Sequence, residues 1–468
     1  MTPVQQTAEA IESSTQSVNT AITSPTATVT AVPVNTRTRY TISAVLDYPN
    51  RSLSVTEEVL YTNRLTEPVN ELVFVVEPNL TYGAFELIAL TWQDGTAVDE
   101  FTLDSQRLTV PLREPLQPGA NIRVNFGFNL YPPGMEGVFC FTVTQVNLSG
   151  WYPYAAPYIE GKGWVVHDPG KVGEYQVYEL ADFTVDLRVD NAPDDFMVAA
   201  SARATIDDSG IFHFEQEDVR NFTWSGSSNY KMFEAFAGDI RVRAFVFPTD
   251  QVAGQAALDA TVQALNLYSS LFEPYTHNSL TIVEAGFADG MEYDGLHYLG
   301  REYFNAYEGL PSSYLTAISV HETAHQWWYG MVGNDQAYEP WLDESLAAYS
   351  ELLYYENTYP DLVKWWWETR VNYFNPKGWV NNTIYDYSYF RPYVNAIYLR
   401  GVQCLEAIRQ EIGDEAFMAF LKDYFTTIHG RGDEDHLGLA TSTDFWEILS
   451  RHTDANLSAI KATYFSQP

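Results

Sequence analysis

The sequence is poor in cysteine, in cationic residues and in long apolar runs. Its only two cysteines, Cys140 and Cys404, lie too far apart for a CxxC metal knuckle and do not suggest a disulfide framework. The 26 lysines and arginines are outnumbered by 61 aspartates and glutamates, so the formal net charge is −35. Such an acidic surface repels phosphate backbones and anionic lipids, which argues against nucleic acid as a partner. No run approaches the roughly 18 apolar residues that span a bilayer, so we expect no membrane insertion.

Residues 1–36 contain no lysine, arginine or aromatic residue and are rich in Thr, Ser, Ala and Val. Such a segment cannot bury enough apolar surface to offset its ordering entropy, so a disordered stalk is predicted over residues 1–37. No apolar signal-peptide core follows Met1, which leaves open a cytoplasmic chain and an exported chain whose signal has been removed. A Thr/Ser-rich tether on an acidic protein favours the second alternative, with an extracellular or cell-surface tethered location.

Of the 468 residues of the whole sequence, 46% are hydrophobic, so the chain after residue 37 has enough apolar side chains for large cores. From Tyr40 the apolar residues recur with period two between closely spaced turn sequences, so residues 38–235 are predicted to form an N-terminal all-β domain. Further along, Leu258, Val262 and Leu265 mark one face of a helix that ends before Pro274. The fold class predicted is therefore multidomain α+β, with a mainly helical second domain over residues 236–468.

An HExxH motif, HETAH at residues 321–325, lies on a helix predicted over residues 313–329. Side chains four residues apart on a helix lie one above the other, so His321 and His325 can bind the same metal ion. The plainer alternative is that the two histidines share a stripe of the core. A metal site is favoured because a third ligand is present at a suitable position.

That third ligand is Glu344, on a helix predicted to begin near Pro340, with eighteen residues between it and His325. Two histidines and a carboxylate leave a fourth position open for water, which is typical of catalytic zinc. We therefore expect one Zn2+ per chain. Glu322 would act as the general base that takes a proton from the attacking water and passes it to the leaving amine.

These motifs resemble those of the aminopeptidase N family, the gluzincins that include alanyl aminopeptidases and leukotriene hydrolase. The resemblance lies in HETAHQWWYG at 321–330 with WLDES at 341–345, in GMEY at 290–293 for the family's Gly-x-Met-Glu-Asn, and in YLRG at 398–401 for its Tyr-x-Lys-Gly. Thermolysin relatives place the third ligand one residue further along. The resemblance implies a thermolysin-like catalytic domain and a zinc metallopeptidase that removes N-terminal amino acids from peptides.

The same resemblance implies roles for three further residues. Glu292 would bind the α-ammonium group of the first residue of the substrate, and Tyr398 would donate its hydroxyl to the oxyanion. Gln145 would line the substrate cleft from the β domain. Plainer alternatives are a solvated turn for Glu292 and a core position for Tyr398, with Tyr393 as the rival tyrosine.

Three positions depart from the family's motifs: Tyr293 replaces Asn, Arg400 replaces Lys, and Ser345 replaces Gly. None is a metal ligand, but the first two concern substrate positioning. Larger members add a C-terminal helical domain that roofs the active site, and this sequence stops after the catalytic domain. We therefore expect a shallower, more open cleft that admits longer peptides.

The sequence also has features of a glycosidase and of an adhesion protein. Many aromatic side chains and abundant carboxylates are also found in glycosidases, but Trp327, Trp328 and the tryptophans at 365–367 fall in predicted helices, where aromatic clusters usually belong to the core. The tripeptide Arg-Gly-Asp at 431–433 is predicted to be a solvated loop.

Two alternatives to an aminopeptidase stay open: a zinc endopeptidase with an open cleft, and a peptide-binding scaffold without turnover. A catalytically dead copy usually loses a ligand or the general base, and here the full set is present, which favours an active enzyme. Peptides are the expected partners, and the acidic charge predicts a preference for neutral or basic first residues. The sequence does not specify an oligomeric state.

Overall fold

The computed structural model describes residues 36–466. The stalk predicted over residues 1–37 therefore lies outside the described residues, apart from its last two positions. Within residues 36–466 no helix is both long enough and apolar enough to cross a bilayer. Cys140 and Cys404 are both buried free thiols.

The first half of the described chain consists of short and medium β-strands. In chain order they are β1 Thr38–Asp47, β2 Ser52–Thr62, β3 Val69–Val75, β4 Phe85–Trp92, β5 Thr102–Asp104, β6 Arg107–Leu116, β7 Asn121–Leu130, β8 Phe139–Phe141, β9 Val146–Leu148, β10 Tyr154–Ala155, β11 Tyr158–Ile159, β12 Gly163–Trp164, β13 Ala181–Asp190, β14 Met197–Ala200, β15 Ala204–Ile206, β16 Phe212–Val219 and β17 Trp224–Ser227.

These strands form a seven-stranded sheet of order β15-β16-β13-β1-β2-β7-β4 and two four-stranded sheets, β10-β3-β6-β5 and β14-β17-β9-β8, besides the pair β11-β12. In β1 the side chains of Tyr40, Ile42, Ala44 and Leu46 are buried and their neighbours are mostly exposed. Successive side chains of a strand point to opposite faces, so the period-two pattern places one face in the core. The all-β character predicted for this part is confirmed.

The second half begins with a five-stranded sheet of order β18-β19-β20-β22-β21. Its strands are β18 Lys231–Ala237, β19 Ile240–Val246, β20 Ser279–Ala285, β21 Gly290–Tyr293 and β22 Leu296–Gly300, and a later pair is β23 Gly333–Asn334 with β24 Leu439–Ala440. The domain division predicted between residues 235 and 236 stays a prediction; in the structure this position falls inside β18, which pairs with β19 along its whole length.

Helices make up most of the chain after this sheet, as predicted. They are α1 Gln251–Leu271, α2 Arg301–Asn305, α3 Tyr314–Ala324, α4 Trp341–Thr358, α5 Val363–Trp365, α6 Phe390–Val394, α7 Arg400–Ile412, α8 Asp414–Asp435, α9 Ser442–Leu449 and α10 Ser458–Tyr464, with π-helical turns at Trp366–Val371 and Asn395–Leu399. The chain is thus a β-rich N-terminal domain followed by a mainly helical one, which confirms the predicted fold class.

The predicted end of α1 before Pro274 and the predicted start of α4 near Pro340 are confirmed, but the predicted end of α3 is wrong. The helix stops at Ala324 rather than Tyr329. Beyond Ala324, the amides of Gly330, Met331 and Val332 bond the carbonyl oxygens five residues before them at 2.9–3.2 Å, so the α-helical pattern does not continue. The carbonyl oxygens of Tyr329 and Gly330 then accept hydrogen bonds from the buried Arg220 Nε at 2.5 and 2.9 Å.

Two smaller expectations meet different outcomes. The Arg-Gly-Asp tripeptide is not a loop, because α8 continues to Asp435 and Arg431 forms an ion pair with Asp444. Trp327 and Trp328 lie just beyond the end of α3, and both are fully buried in the core of the helical part. Their burial leaves no exposed aromatic platform at this position.

Candidate active site

Two helices carry the HExxH motif and the third predicted ligand. Ser313 caps α3, since its side chain accepts a hydrogen bond from the Thr316 amide at 3.2 Å, and this satisfies one of the free N–H groups of the first turn. His321 lies in the last turn of α3 and His325 directly follows the helix. Glu344 lies in the first turn of α4, which packs against α3.

The three side chains converge on one point. His321 Nε2 lies 3.2 Å from His325 Nε2 and 3.3 Å from Glu344 Oε2, and His325 Nε2 lies 3.4 Å from the same oxygen. A tetrahedral zinc ion with bonds of about 2.0–2.1 Å separates its ligand atoms by about 3.3 Å. The triangle of donor atoms therefore has the size that a zinc ion requires.

The other nitrogen of each imidazole is occupied, which fixes the orientation of the ring. His321 Nδ1 lies 3.0 Å from Glu351 Oε1, and His325 Nδ1 lies 3.0 Å from the carbonyl oxygen of Trp328. Each Nδ1 can donate its proton there, which leaves both Nε2 lone pairs facing Glu344. Three electron-pair donors that face each other repel unless a cation lies between them, so the residues present fit a metal ion.

Glu351 was not singled out from the sequence, although it lies seven residues after Glu344 on the same face of α4. Its carboxylate accepts two hydrogen bonds from Arg370, at 2.9 and 3.0 Å, and one from Trp366 Nε1 at 3.0 Å. This fully buried group holds His321 in place, in the way that carboxylates behind metal-bound histidines do.

The two histidines determine the direction in which the pKa of the third predicted ligand, Glu344, is shifted. Burial alone would raise the pKa of Glu344; without a metal ion, however, a proton on Nε2 of His321 or His325 takes the place of the ion, and the resulting hydrogen bonds and positive charge hold the pKa well below its usual range. Glu344 is therefore a carboxylate at neutral pH, the form that binds a metal ion.

Glu322, the predicted general base, is buried beside the ligands and lines the cleft. Burial raises the pKa of its carboxyl to about 8, against the opposing charges of His321 and His325. Its Oε2 has no hydrogen-bond partner among residues 36–466. The backbone of Gly290 approaches so closely that a Cβ there would lie 2.0 Å from Glu322 Oε1, so this position of GMEY has no room for a side chain.

A second cluster of carboxylates lies next to the metal ligands. Glu292, on the edge strand β21, accepts a hydrogen bond from Gln336 Nε2 at 3.1 Å. Oxygens of Glu174, Glu292 and Glu344 lie within 4.8 Å of one another. Burial, followed by the negative charge of neighbouring carboxylates, raises the pKa of Glu174; burial also raises that of Glu292. Such a cluster attracts a cationic group that relieves this repulsion.

No motif or periodicity in the sequence points to Glu174. It lies in the long connection between β12 and β13, 118 residues before Glu292 in the chain, and only the tertiary structure brings the two together. Glu292 is buried on a strand, so the alternative of a solvated turn is wrong.

Tyr398 reaches the metal ligands and Tyr393 does not. The Tyr398 hydroxyl donates a hydrogen bond to Glu344 Oε1, and its ring stacks on that of His321 with centroids 5.8 Å apart. Tyr393 is buried behind it, 5.7 Å from ring to ring, and does not line the cleft. Tyr398 lies in the π-helical turn Asn395–Leu399, a local distortion that often occurs at functional sites.

The departures from the family's motifs lie away from the metal ligands. Ser345 Oγ donates to the carbonyl oxygen of Ile397 at 2.7 Å and so ties α4 to the turn that carries Tyr398. Arg400 donates to the carbonyl oxygen of Thr463 at 2.8 Å, outside the main cleft.

Gln145 is not among the residues that line the cleft. Its side-chain Nε2 donates to the Tyr230 hydroxyl at 2.5 Å and to the carbonyl oxygen of Glu284 at 2.9 Å, and its Oε1 accepts from the Gly286 amide at 3.3 Å. These contacts fix the end of β20, from which the chain continues to the cleft. The structure therefore gives Gln145 a supporting position behind the site.

The cleft itself is a cavity of about 460 Å³. It is bordered by the metal ligands and Glu322, by the carboxylate cluster, and by aromatic side chains from the helical part of the chain: Tyr303, Tyr314, Phe374, Phe390 and Tyr398. A volume of this size accommodates several residues of an extended peptide.

A smaller cavity of about 150 Å³ adjoins the carboxylate cluster, with Glu174, Met291 and Glu292 lining both spaces. It contains Glu77, whose carboxylate accepts hydrogen bonds from the Tyr178 hydroxyl and from Gln176 Nε2, each at 3.0 Å. Burial raises the pKa of Glu77 from 4.5 to about 7. The folded protein therefore holds the proton of this carboxyl more tightly than the unfolded chain does.

We predict that Glu77→Gln removes part of the pH dependence of stability. Because the folded pKa is raised, the contribution of this carboxyl is fully present below about pH 4.5 and is lost as the pH rises through about 7. The parent should lose roughly 2 kcal/mol relative to the variant between pH 5 and pH 8, after allowance for partial exposure. Urea unfolding at several pH values measures this difference.

The exposed Glu67→Gln variant is the matched control and should follow the parent at every pH. A constant difference between the parent and Glu77→Gln across that pH range would contradict the prediction.

Comparisons with known proteins agree with this geometry. Residues 256–464 match the model of the peptidase family M1 domain. The chain is 26% identical over 320 residues to aminopeptidase N of Lactobacillus helveticus, which covers 62% of this chain and 36% of that protein. It is 32% identical over 131 residues to endoplasmic reticulum aminopeptidase 2 of Bos taurus, which covers 26% of this chain and 14% of that protein.

A crystal structure of the M1 zinc metallopeptidase from Deinococcus radiodurans superposes on the chain with a TM-score of 0.62 at 18% identity, and covers 92% of this chain and 94% of that one. A second structure of a two-domain M1 zinc metallopeptidase, bound to L-tryptophan, matches equally well at 19% identity. At such identities the likeness shows a shared two-domain fold.

The chain spans 36% of the length of aminopeptidase N of Lactobacillus helveticus and 26% of that of aminopeptidase N of Lactobacillus delbrueckii subsp. lactis. M1 enzymes are zinc metallopeptidases, and zinc is the cofactor that this cluster of two histidines and a glutamate fits. Over residues 256–464 the chain is thus similar to the peptidase family M1 domain, and the relatives it matches are aminopeptidases.

Proposed function

We propose that the protein is a zinc-dependent aminopeptidase that removes N-terminal residues from peptides. The observation that carries the proposal is the position of the half-buried Glu174 and the buried Glu292 beside the metal ligand Glu344, with carboxylate oxygens all within 4.8 Å of one another. A carboxylate cluster at this place can bind the free ammonium group of a peptide. The first peptide bond then lies next to the metal position and Glu322.

The chain's own residues supply the remaining parts of the reaction. When bound, a zinc ion lowers the pKa of a water molecule and polarises the peptide carbonyl. Glu322 accepts the proton of the attacking water at its carboxylate and delivers it to the leaving nitrogen. The hydroxyl of Tyr398, which donates to Glu344 Oε1 in the structure, is close enough to the metal position to hydrogen-bond the oxyanion that develops on the carbonyl oxygen.

Two residues position the catalytic groups without contacting the substrate. Glu351 accepts from His321 Nδ1 and keeps Nε2 directed at the metal position. Gln336 donates to Glu292 and to Asp343, at 3.1 and 3.0 Å, and holds the ammonium-binding carboxylate against the cleft wall.

We predict that Glu292→Gln lowers kcat/KM for a leucyl arylamide by roughly 100-fold, because a buried ammonium group loses its charge-assisted partner. The parent should hydrolyse the free-amine substrate and leave its N-acetyl counterpart intact, since acetylation removes the positive charge. Stopped-assay kinetics on the two substrates measure both effects.

Glu308→Gln is the matched control, because Glu308 is an exposed glutamate outside the cleft and its loss should leave both rates unchanged. Equal hydrolysis of the free and the N-acetylated arylamide would overturn the aminopeptidase proposal.

An endopeptidase with an open cleft is the second candidate. Phe390, which borders the cleft, is exposed, and this side of the cleft is therefore accessible to longer chains. The carboxylate cluster favours the aminopeptidase, because an internal peptide bond brings no cation to Glu174 and Glu292. A non-catalytic scaffold is disfavoured by the complete set of ligands and general base.

We further propose an extracellular or cell-surface location, with peptides as partners. The support is the Thr/Ser-rich composition of residues 1–36 and the net charge of −35. Fractionation of the native host cells, with detection by an antibody to the catalytic part, tests the location. Recovery only in the cytosol would contradict it.

A further inference from the structure

One cation in the cleft has no carboxylate partner. Arg391, in the short helix α6, lines the same cavity as the metal ligands and Glu322. The other arginine of the cleft, Arg370, is bound to Glu351 by two hydrogen bonds. Among residues 36–466, Arg391 forms no ion pair; its guanidinium lies 4.2 Å from the centroid of the Phe374 ring. In a chain of net charge −35, an unpaired cation in the cleft is available to bind a substrate anion.

The π-helical turn that carries Tyr398 directly follows α6, which carries Arg391. Arg391, Val394 and Tyr398 are spaced i, i+3 and i+7, which is one face of a helix, and all three line the cavity. A rise of about 1.5 Å per residue places Arg391 about 10 Å from Tyr398 along the helix. Arg391 is therefore on the same wall as the oxyanion-binding hydroxyl, but about two turns away.

Tyr314 in α3 indicates the same position of Arg391 along the cleft. Tyr314 lies seven residues before His321 in α3, and it also lines the cavity. Burial raises the pKa of the Tyr314 phenol, and the nearby charges of Arg370 and Arg391 counteract that rise. Arg391 thus lies near Tyr314, at the end of the cleft that is two helical turns from the metal ligands.

The cleft is therefore polar along its length. Glu174 and Glu292 form an anionic end beside the metal position, and Arg391 forms a cationic point further along. A short peptide has the complementary arrangement, with an ammonium group at one end and a carboxylate at the other.

We propose that Arg391 binds the C-terminal carboxylate of short peptide substrates, so that the enzyme favours free-acid peptides of three or four residues. This inference rests on the proposed aminopeptidase function. An extended peptide advances about 3.3 Å per residue, so two or three residues beyond the first carbonyl bring the chain end to the depth of Arg391. The guanidinium fork matches a carboxylate, and stacking on Phe374 restricts its orientation.

The same guanidinium could also bind an acidic side chain at the third or fourth residue. The terminal carboxylate is favoured because every peptide of that length carries one, whatever its sequence. The experiment separates the two sources.

The experiment compares neutral peptides of two to six residues, each as a free acid and as a C-terminal amide, with leucyl arylamide as a substrate that has no carboxylate. At three or four residues the free acid should have a kcat/KM roughly tenfold above that of the amide, and the ratio should approach one at six residues. In Arg391→Gln the ratio should fall to about one through a higher KM for the free acids.

Arg391→Lys should retain part of the preference, because it keeps the charge and loses the fork. Lys377→Gln is the matched control: it removes an exposed cation of the neighbouring segment that lines a different surface cavity, and it should keep the full preference. All variants should hydrolyse leucyl arylamide at the parent rate, which excludes misfolding as the cause.

A ratio near one at every length in the parent, or an unchanged ratio in Arg391→Gln, would overturn the inference. An amidated tetrapeptide with an internal aspartate is compared with the free acid. Equal kcat/KM for the two would assign Arg391 to acidic side chains and overturn the proposal that it binds the terminal carboxylate. If neither the arylamide nor any peptide is cleaved, the aminopeptidase function fails, and this inference fails with it.

Discussion

Glu322→Gln should lower kcat for leucyl arylamide by roughly 10³- to 10⁴-fold while the protein still binds one zinc ion, as expected when a general base is lost and the geometry is kept. Gln has nearly the shape of Glu and fits the space that Gly290 leaves, but it cannot accept and return a proton. The three predicted ligands are His321, His325 and Glu344. Glu322 is not one of them, so zinc binding should be unaffected by its replacement.

The measurements are steady-state kinetics and zinc content by plasma mass spectrometry on the same preparation. Glu308→Gln makes the same chemical change outside the cleft and should retain parent activity. Near-normal turnover in Glu322→Gln would show that another group is the base, and loss of zinc together with activity would show that Glu322 acts through the metal site instead.

Removal of zinc should abolish activity and lower the thermal stability of the protein. Without a cation, His321, His325 and Glu344 direct three electron-pair donors at one another at 3.2–3.4 Å, an arrangement that is unfavourable in a buried site. Free zinc at 1,000 times its Kd should add about 4 kcal/mol to the free energy of unfolding. Calorimetry with a chelator and with zinc added back measures both effects.

Glu344→Gln supplies the matching variant, because it removes the charged ligand with little change of shape. Its activity should not recover on addition of zinc at concentrations that restore the chelated parent. Glu356→Gln, on the same helix but paired with Arg409 outside the cleft, should behave like the parent. Full activity in protein shown to be free of metal would contradict the whole account of the site.

The parts of the site that follow from local periodicity could be predicted from the sequence. HExxH on a helix and a glutamate in the next helix fix three ligands because helical spacing determines which side chains share a face. Glu351 could have been found by the same argument, since it lies two turns after Glu344. The predicted roles of Glu292 and Tyr398 came from family resemblance, and the structure brings both residues to the cleft.

The rest depends on contacts between distant parts of the chain. Glu174 reaches the carboxylate cluster from a connection that has no regular pattern, and the turn that follows α3 binds Arg220, more than 100 residues before it in the chain. Gln145 illustrates the opposite error: a loose motif match suggested a residue of the cleft, and the structure places it behind β20. Periodicity carries no information about such long-range packing.

The most direct test of the central claim is mass spectrometry of the products from two matched peptides, one with a free amino terminus and one acetylated. The account predicts stepwise loss of residues from the amino terminus of the free peptide, with the acetylated peptide intact, because only a free ammonium group can bind at Glu174 and Glu292. Internal cleavage of both peptides would contradict it and identify an endopeptidase. If the zinc-loaded protein cleaves neither peptide, the scaffold alternative is favoured instead.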